Sequence, residues 1–131
     1  MYSPAVATQQ KILLVDDSEL TLRVVANVLA QHGYDVRTTT SVDGLVAALG
    51  EWRPEVILTD VDMPGISGVD LCRRLKSTYD TAHVPVVLFS ALPQQELERL
   101  ARQCDADGFL CKSGLEDLPN ELALLFDTLM F

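Results

Sequence analysis

The sequence predicts an α/β fold in which helices cover both faces of a parallel, five-stranded sheet. Short apolar runs alternate along the chain with segments whose apolar residues recur at helical spacing. Three of the runs, at residues 12–15, 56–58 and 86–89, are continuously hydrophobic, as is typical of strands that are buried on both faces. Because a helical pattern follows each run, the strands are expected to lie parallel to one another.

The first half of the chain contains two predicted strand–helix units. A strand at residues 11–15 precedes Ser18, which can cap a helix that ends near Gly33. Residues 35–39 form a short, polar run that suits a strand at the edge of the sheet. Ser41 can then cap a second helix, which ends near residue 50.

The second half contains three more units. A strand at residues 56–59 leads through a Pro-Gly turn to a helix that begins near Ser67 or Gly68. A strand at 84–89 is followed by a helix with Pro93 in its first turn. Residues 109–112 and 116–130 are predicted to form the last strand and helix, respectively.

Composition limits the possible functions. The 131 residues predict one folded domain at 11–131, preceded by a flexible leader at 1–10 that lacks the features of a signal peptide. The net charge of −9 argues against binding to nucleic acid or to an anionic membrane, because both require a basic surface. No apolar stretch reaches the ~18–20 residues that span a bilayer. The three cysteines lack zinc-site spacing and are interpreted as buried, reduced thiols, which favours the cytoplasm.

Five polar residues stand where the predicted strands end: Asp16, Asp17, Asp60, Ser90 and Lys112. In a parallel sheet, the carboxyl ends of the strands meet at one edge, so these side chains are expected to share one crevice. Carboxylate oxygens suit Mg²⁺, and an aspartate can attack phosphorus to form an aspartyl-phosphate. The lysine can neutralise charge on a phosphoryl group, and the serine can donate a hydrogen bond to it.

Taken singly, each of these residues has a simpler interpretation. The aspartate pair can form a solvated turn before a helix cap, Ser90 can be a turn residue, and Lys112 can be a surface lysine. Only their common position at strand ends favours a site over these alternatives.

The chain resembles the receiver domains of two-component response regulators over about residues 11–130. The resemblance rests on four segments in the same order: Leu14-Val15-Asp16-Asp17-Ser18, Asp60-Val61-Asp62-Met63-Pro64-Gly65-Ile66-Ser67-Gly68, Leu88-Phe89-Ser90-Ala91 and Phe109-Leu110-Cys111-Lys112. It implies a flavodoxin-like, doubly wound sheet with strand order 2-1-3-4-5 and five helices.

The resemblance also implies a role for each acidic residue. Asp60 would be the phosphoacceptor. Asp17 and Asp60 would hold Mg²⁺, Asp16 would do so directly or through a water, and Asp62 would contribute its backbone carbonyl.

Three further residues take roles from the same resemblance. Lys112 would pair with the acceptor carboxylate and then with the phosphoryl group. Ser90 would move towards that group, and Phe109 would rotate inward as the switch aromatic.

One residue departs from the family pattern, because Ser113 follows Lys112 where the family usually has a proline in a cis peptide. A cis bond before a non-proline residue costs about 3–4 kcal/mol, so a trans bond and a displaced last helix are expected.

The resulting prediction is a signalling switch rather than an enzyme. It would receive its phosphoryl group from a histidine kinase or phosphotransfer protein and act by contact with an unidentified downstream protein. Two alternatives stay open. One is a docking module that is never phosphorylated, and the other is a Mg²⁺-dependent phosphohydrolase that uses Asp60 and Asp62 as an Asp-x-Asp signature.

Overall fold

The structure, a computed structural model, describes residues 10–112 and 114–129. Its strands are β1 (Lys11–Val15), β2 (Asp35–Thr39), β3 (Val56–Thr59), β4 (Val86–Ser90) and β5 (Gly108–Cys111). Its α-helices are α1 (Glu19–Gln31), α2 (Val42–Glu51), α3 (Gly68–Ser77), α4 (Gln94–Gln103) and α5 (Leu118–Leu129), and a short 3₁₀-helix, Leu115–Asp117, precedes α5.

The strands form one sheet in the order β2-β1-β3-β4-β5, and every pair is parallel. This confirms the predicted α/β class, strand order and number of helices. The strand order reverses between β1 and β3, so a crevice opens there at the carboxyl edge of the sheet.

Side-chain alternation along the strands builds two cores. Leu13 and Val15 face the core under α2, α3 and α4, whereas Ile12 and Leu14 face the core under α1 and α5. Both faces of the central strands are buried, which explains why their sequences are continuously apolar.

Serine side chains cap the first three helices, as the sequence predicts for Ser18 and Ser41. The hydroxyls of Ser18, Ser41 and Ser67 accept hydrogen bonds from Thr21 N (3.2 Å), Gly44 N (3.0 Å) and Asp70 N (3.1 Å). These bonds satisfy backbone donors that the first turn of a helix leaves unpaired. The caps therefore fix where the chain turns from the crevice into each helix.

Several predicted boundaries differ from the structure by a few residues. Pro93 precedes α4 as its cap residue rather than lying in its first turn. The last strand ends at Cys111, and the last helix begins at Leu118 because the 3₁₀-helix occupies the preceding turn. Cys111 is also only half-buried, unlike Cys72 and Cys104.

Two predictions fall outside the described residues. They are the leader at residues 1–10, of which only Gln10 is described, and the peptide bond between Lys112 and Ser113. Among the residues that are described, no helix is both long and apolar enough to cross a membrane.

Candidate functional site

The backbone carries three of the predicted site residues just past the ends of their strands. Asp16 N donates to the carbonyl of Thr39 (3.2 Å), and Asp60 N donates to that of Val15 (2.8 Å). Lys112 N likewise donates to the carbonyl of Ser90 (2.8 Å). Because these bonds continue the sheet's hydrogen bonding, the three side chains start from a rigid edge.

A buried ion-pair cluster forms at this edge. The ammonium of Lys112 lies 2.7 Å from Asp16 Oδ2 and 3.1 Å from Asp60 Oδ1. Asp16 is only 4% exposed and Asp60 only 9%. One lysine therefore bridges two carboxylates that would otherwise repel each other in a poorly hydrated setting.

The bond between Lys112 and Asp16 was not predicted. The resemblance pairs Lys112 with Asp60 alone. The sequence did contain a signal for this bond. Three aspartates but only one lysine follow the predicted strands, so more than one carboxylate was available to pair with Lys112.

Backbone donors orient both buried carboxylates. Asp60 Oδ1 accepts a hydrogen bond from Val61 N (2.9 Å), and Asp16 Oδ1 accepts one from Ser18 N (2.9 Å). Each carboxylate is thus held by its own following turn as well as by Lys112. This arrangement restricts the rotation of both side chains.

Burial shifts the pKa values of Asp60 and Lys112 in opposite directions. Burial raises the pKa of the Asp60 carboxyl, and the nearby Asp16 adds to this, although Lys112 and the Val61 N–H oppose it. Burial alone would lower the pKa of the Lys112 ammonium, but its bonds to Asp16 and Asp60 outweigh that effect and raise it. Lys112 is therefore charged at neutral pH, while Asp60 is destabilised as an anion.

The acidic residues fit a hard divalent cation. Asp16, Asp17 and Asp60 each offer a carboxylate oxygen, and these oxygens lie within 4.8 Å of one another. Mg²⁺ binds through a few carboxylate oxygens and keeps several waters, which the exposed Asp17 side of the cluster can accommodate. Asp62 is exposed, and the role of its carbonyl stays a prediction.

Ser90 and Phe109 lie on the neighbouring strands β4 and β5. The Ser90 hydroxyl is buried and accepts a hydrogen bond from Leu92 N (3.2 Å), so the loop after β4 holds it. Phe109 is half-buried and packs against the core under α2, α3 and α4. Their movement as a switch pair stays a prediction.

Two residues, Gly68 and Thr59, contact the backbone carbonyl of Asp60, and the sequence analysis did not predict either contact. A Cβ atom on Gly68 would lie 1.9 Å from the Asp60 carbonyl oxygen, so only glycine allows α3 to approach so closely. The buried Thr59 hydroxyl donates a hydrogen bond to that same oxygen (3.1 Å). The glycine at a predicted helix start was a signal for the first contact, whereas nothing in the sequence marked the second.

Comparison with known proteins identifies a family. The model of the response regulator receiver domain matches residues 12–123. Response regulator PleD of Caulobacter vibrioides is 36% identical over 102 residues, which cover 78% of this chain but only 22% of PleD. DivK of Brucella anthropi, a polar-differentiation response regulator, is 28% identical over 104 residues, covering 79% of this chain and 84% of DivK.

A solved structure agrees with these matches. Chemotaxis response regulator CheY4 of Vibrio cholerae superposes with a TM-score of 0.79 and 26% identity, covering 90% of this chain and 99% of CheY4. Receiver domains are phosphorylation-activated switches that interact with histidine kinases or phosphotransfer proteins and typically bind Mg²⁺. The motifs, the strand order and these matches agree, and the chain belongs to the response regulator receiver domain family.

Proposed function

We propose that Asp60 of this chain accepts a phosphoryl group from a phosphohistidine of a histidine kinase or phosphotransfer protein. The observation that supports this most directly is the bridge that Lys112 makes between Asp60 and Asp16 at the bottom of the crevice. It gives the acceptor carboxylate a fixed direction and places a positive charge beside it.

The chemistry is a substitution at phosphorus. A carboxylate oxygen of Asp60 attacks, the bond from phosphorus to the histidine nitrogen breaks, and an aspartyl-phosphate forms. Because Oδ1 already accepts the Val61 N–H bond and faces Lys112, we assign the attack to Oδ2. Lys112 then neutralises charge on the phosphoryl oxygens.

The metal would be held by Asp16, Asp17 and Asp60, together with the backbone carbonyl of Asp62. When bound, Mg²⁺ supplies positive charge that stabilises the phosphoryl group during transfer. Lys112 pairs with Asp16 and Asp60, and Asp17 adds a third carboxylate within 4.8 Å of theirs. This surplus of negative charge supports a cation at the site.

Signal output would begin at Ser90. Its hydroxyl would leave Leu92 N and bond the phosphoryl group, which frees the loop before α4. Phe109 would rotate inward with it, since its half-buried ring already packs on that side of the sheet. This couples a local charge change to a packing change that a partner protein can recognise.

The chain would promote only its own phosphorylation and dephosphorylation, without turning over a separate substrate. The family match argues against a phosphohydrolase, and the intact set of Asp16, Asp17, Asp60 and Lys112 argues against a docking module that is never phosphorylated. The cytoplasmic location stays a prediction.

The test is intact-mass analysis after incubation with acetyl phosphate and Mg²⁺. We expect one phosphoryl adduct, lost with chelator and absent in Asp60→Ala. Asp70→Ala, which changes an exposed aspartate paired with Arg73, is the matched control and should still carry the adduct.

Two results would contradict the proposal. A folded wild-type protein without an adduct would favour the docking module. Steady release of phosphate from a phosphomonoester would favour the phosphohydrolase.

A further inference from the structure

The backbone carbonyl of Asp60 lies close to two other residues, Thr59 and Gly68. The Thr59 hydroxyl donates to it at 3.1 Å, and the first residue of α3, Gly68, packs against it with no room for a side chain. Among the described residues, Thr59 is the only donor to this oxygen. Thr59 itself is fully buried, so water cannot replace its hydroxyl.

The remaining bonds around Asp60 are made by other groups. Its N–H donates to Val15 O (2.8 Å), and its carboxylate is held by Val61 N and Lys112. The peptide that joins Asp60 to Val61 is therefore oriented at its carbonyl end by Thr59. Its N–H end is the group that holds Asp60 Oδ1. A rotation of this peptide would move both ends together, because a peptide group is planar.

We infer that Thr59 is a positioning residue for phosphoryl transfer: its hydroxyl orients the Asp60–Val61 peptide, and that peptide directs the acceptor carboxylate. The inference rests on the proposed role of Asp60 as phosphoacceptor. Thr59 acts through this peptide and contacts no reacting atom.

The test compares three variants of similar size. Thr59→Val removes the hydroxyl and keeps the shape, whereas Thr59→Ser keeps the hydroxyl. Thr81→Val is the matched control, because the Thr81 hydroxyl also donates to a backbone carbonyl, that of Leu75 (2.7 Å), but in the loop after α3. Thr59→Ala replaces Thr59→Val if the latter does not fold.

Phosphorylation by acetyl phosphate is measured at saturating Mg²⁺ over a range of donor concentrations. In Thr59→Val we expect the maximal rate constant to fall roughly tenfold, since a misdirected nucleophile slows transfer. The donor concentration for half-maximal rate should change little, because Lys112 is untouched. Thr59→Ser and Thr81→Val should both stay within about twofold of wild type.

Three results would overturn the inference. The first is a wild-type rate in Thr59→Val. The second is a rate in Thr59→Ser as slow as in Thr59→Val, which would assign the effect to packing. The third is an equally slow rate in Thr81→Val, which would assign the effect to a general loss of stability.

A second measurement does not depend on phosphorylation. The Val61 amide proton, which bonds to the Asp60 carboxylate, should exchange with solvent faster in Thr59→Val than in wild type, but not in Thr59→Ser or Thr81→Val. If the wild-type protein accepts no phosphoryl group, the proposed function fails, and this exchange rate alone decides whether Thr59 positions Asp60. Unchanged exchange would then refute the positioning role.

Discussion

Two partly buried lysines show how differently the two edges of the sheet use charge. At the amino edge, Lys76 donates to the carbonyls of Ala82 (3.2 Å) and Val84 (2.9 Å) and pairs with Asp107. Asp107 also accepts a hydrogen bond from Val86 N (2.8 Å). One positive charge meets one negative charge there, and the remaining donors bond to backbone, so the cluster is balanced.

At the carboxyl edge, Lys112 has a similar exposure but a different set of neighbours. It bonds to Asp16 and Asp60, and Asp17 brings a third carboxylate within 4.8 Å of theirs. Negative charge exceeds positive charge by two at this edge. The balanced pair of Lys76 and Asp107 stabilises the fold, whereas the unbalanced cluster around Lys112 has the excess negative charge that the proposed binding of a cation requires.

The largest expected difference between the edges concerns the two lysines themselves. Lys112→Met should slow phosphorylation by acetyl phosphate on the order of 100-fold, because it removes the charge beside the phosphoryl oxygens. Lys76→Met should leave that rate within about twofold and instead lower the free energy of unfolding by about 1–3 kcal/mol. Adduct formation followed by mass spectrometry and urea denaturation measure the two effects. If Lys112→Met and Lys76→Met slowed phosphorylation equally, the proposed difference in function between the two edges would be wrong.

Magnesium should stabilise the protein through the carboxyl edge alone. At 100 times its Kd, Mg²⁺ should raise the free energy of unfolding by about 2.7 kcal/mol, and chelator should reverse the gain. Asp17→Asn should reduce the gain by weakening binding, whereas Asp107→Asn should retain it. Thermal unfolding with and without Mg²⁺ tests this. A gain that is identical in wild type and Asp17→Asn would place the cation elsewhere.

The smallest expected effect is a pH dependence of stability that arises at the carboxyl edge, from Asp60. Because burial raises the pKa of Asp60, the folded protein holds that proton at pH values where the unfolded chain has lost it. Stability therefore falls as pH rises from the usual carboxyl range through the raised pKa. In chelator at pH 7, Asp60→Asn should unfold at a higher temperature than wild type, and its advantage should shrink as the pH falls.

Asp107→Asn is the control for this experiment, since it weakens the pair with Lys76 and should lower the unfolding temperature at pH 7. Destabilisation by both substitutions would show that Asp60, like Asp107, serves mainly to hold the fold.

Much of the fold was predictable because its signals are local. Continuous apolar runs identified β1, β3 and β4, and the serines at positions 18 and 41 marked the starts of two helices. The boundaries around α5 were less accurate, because one turn of 3₁₀-helix and one of α-helix have similar residue preferences.

The sequence predicted which residues would lie together at the candidate site, but not which hydrogen bonds and ion pairs they would form. The position of Asp16, Asp60 and Lys112 after strands indicated that they would meet. That Lys112 bonds to Asp16 across 96 positions of sequence, and at a shorter distance than to Asp60, depends on the side-by-side packing of strands. The same holds for the contact of Gly68 with the Asp60 carbonyl.

The sequence by itself determined the alternation of strands and helices, the caps and the gathering of acidic residues at one edge. These follow from hydrophobic periodicity and from backbone donors only a few residues away. The tertiary structure decided which carboxylates share the lysine, how deeply Asp60 is buried and which groups contact its carbonyl. Those depend on distances between segments far apart in the chain, which only the strand order β2-β1-β3-β4-β5 brings together.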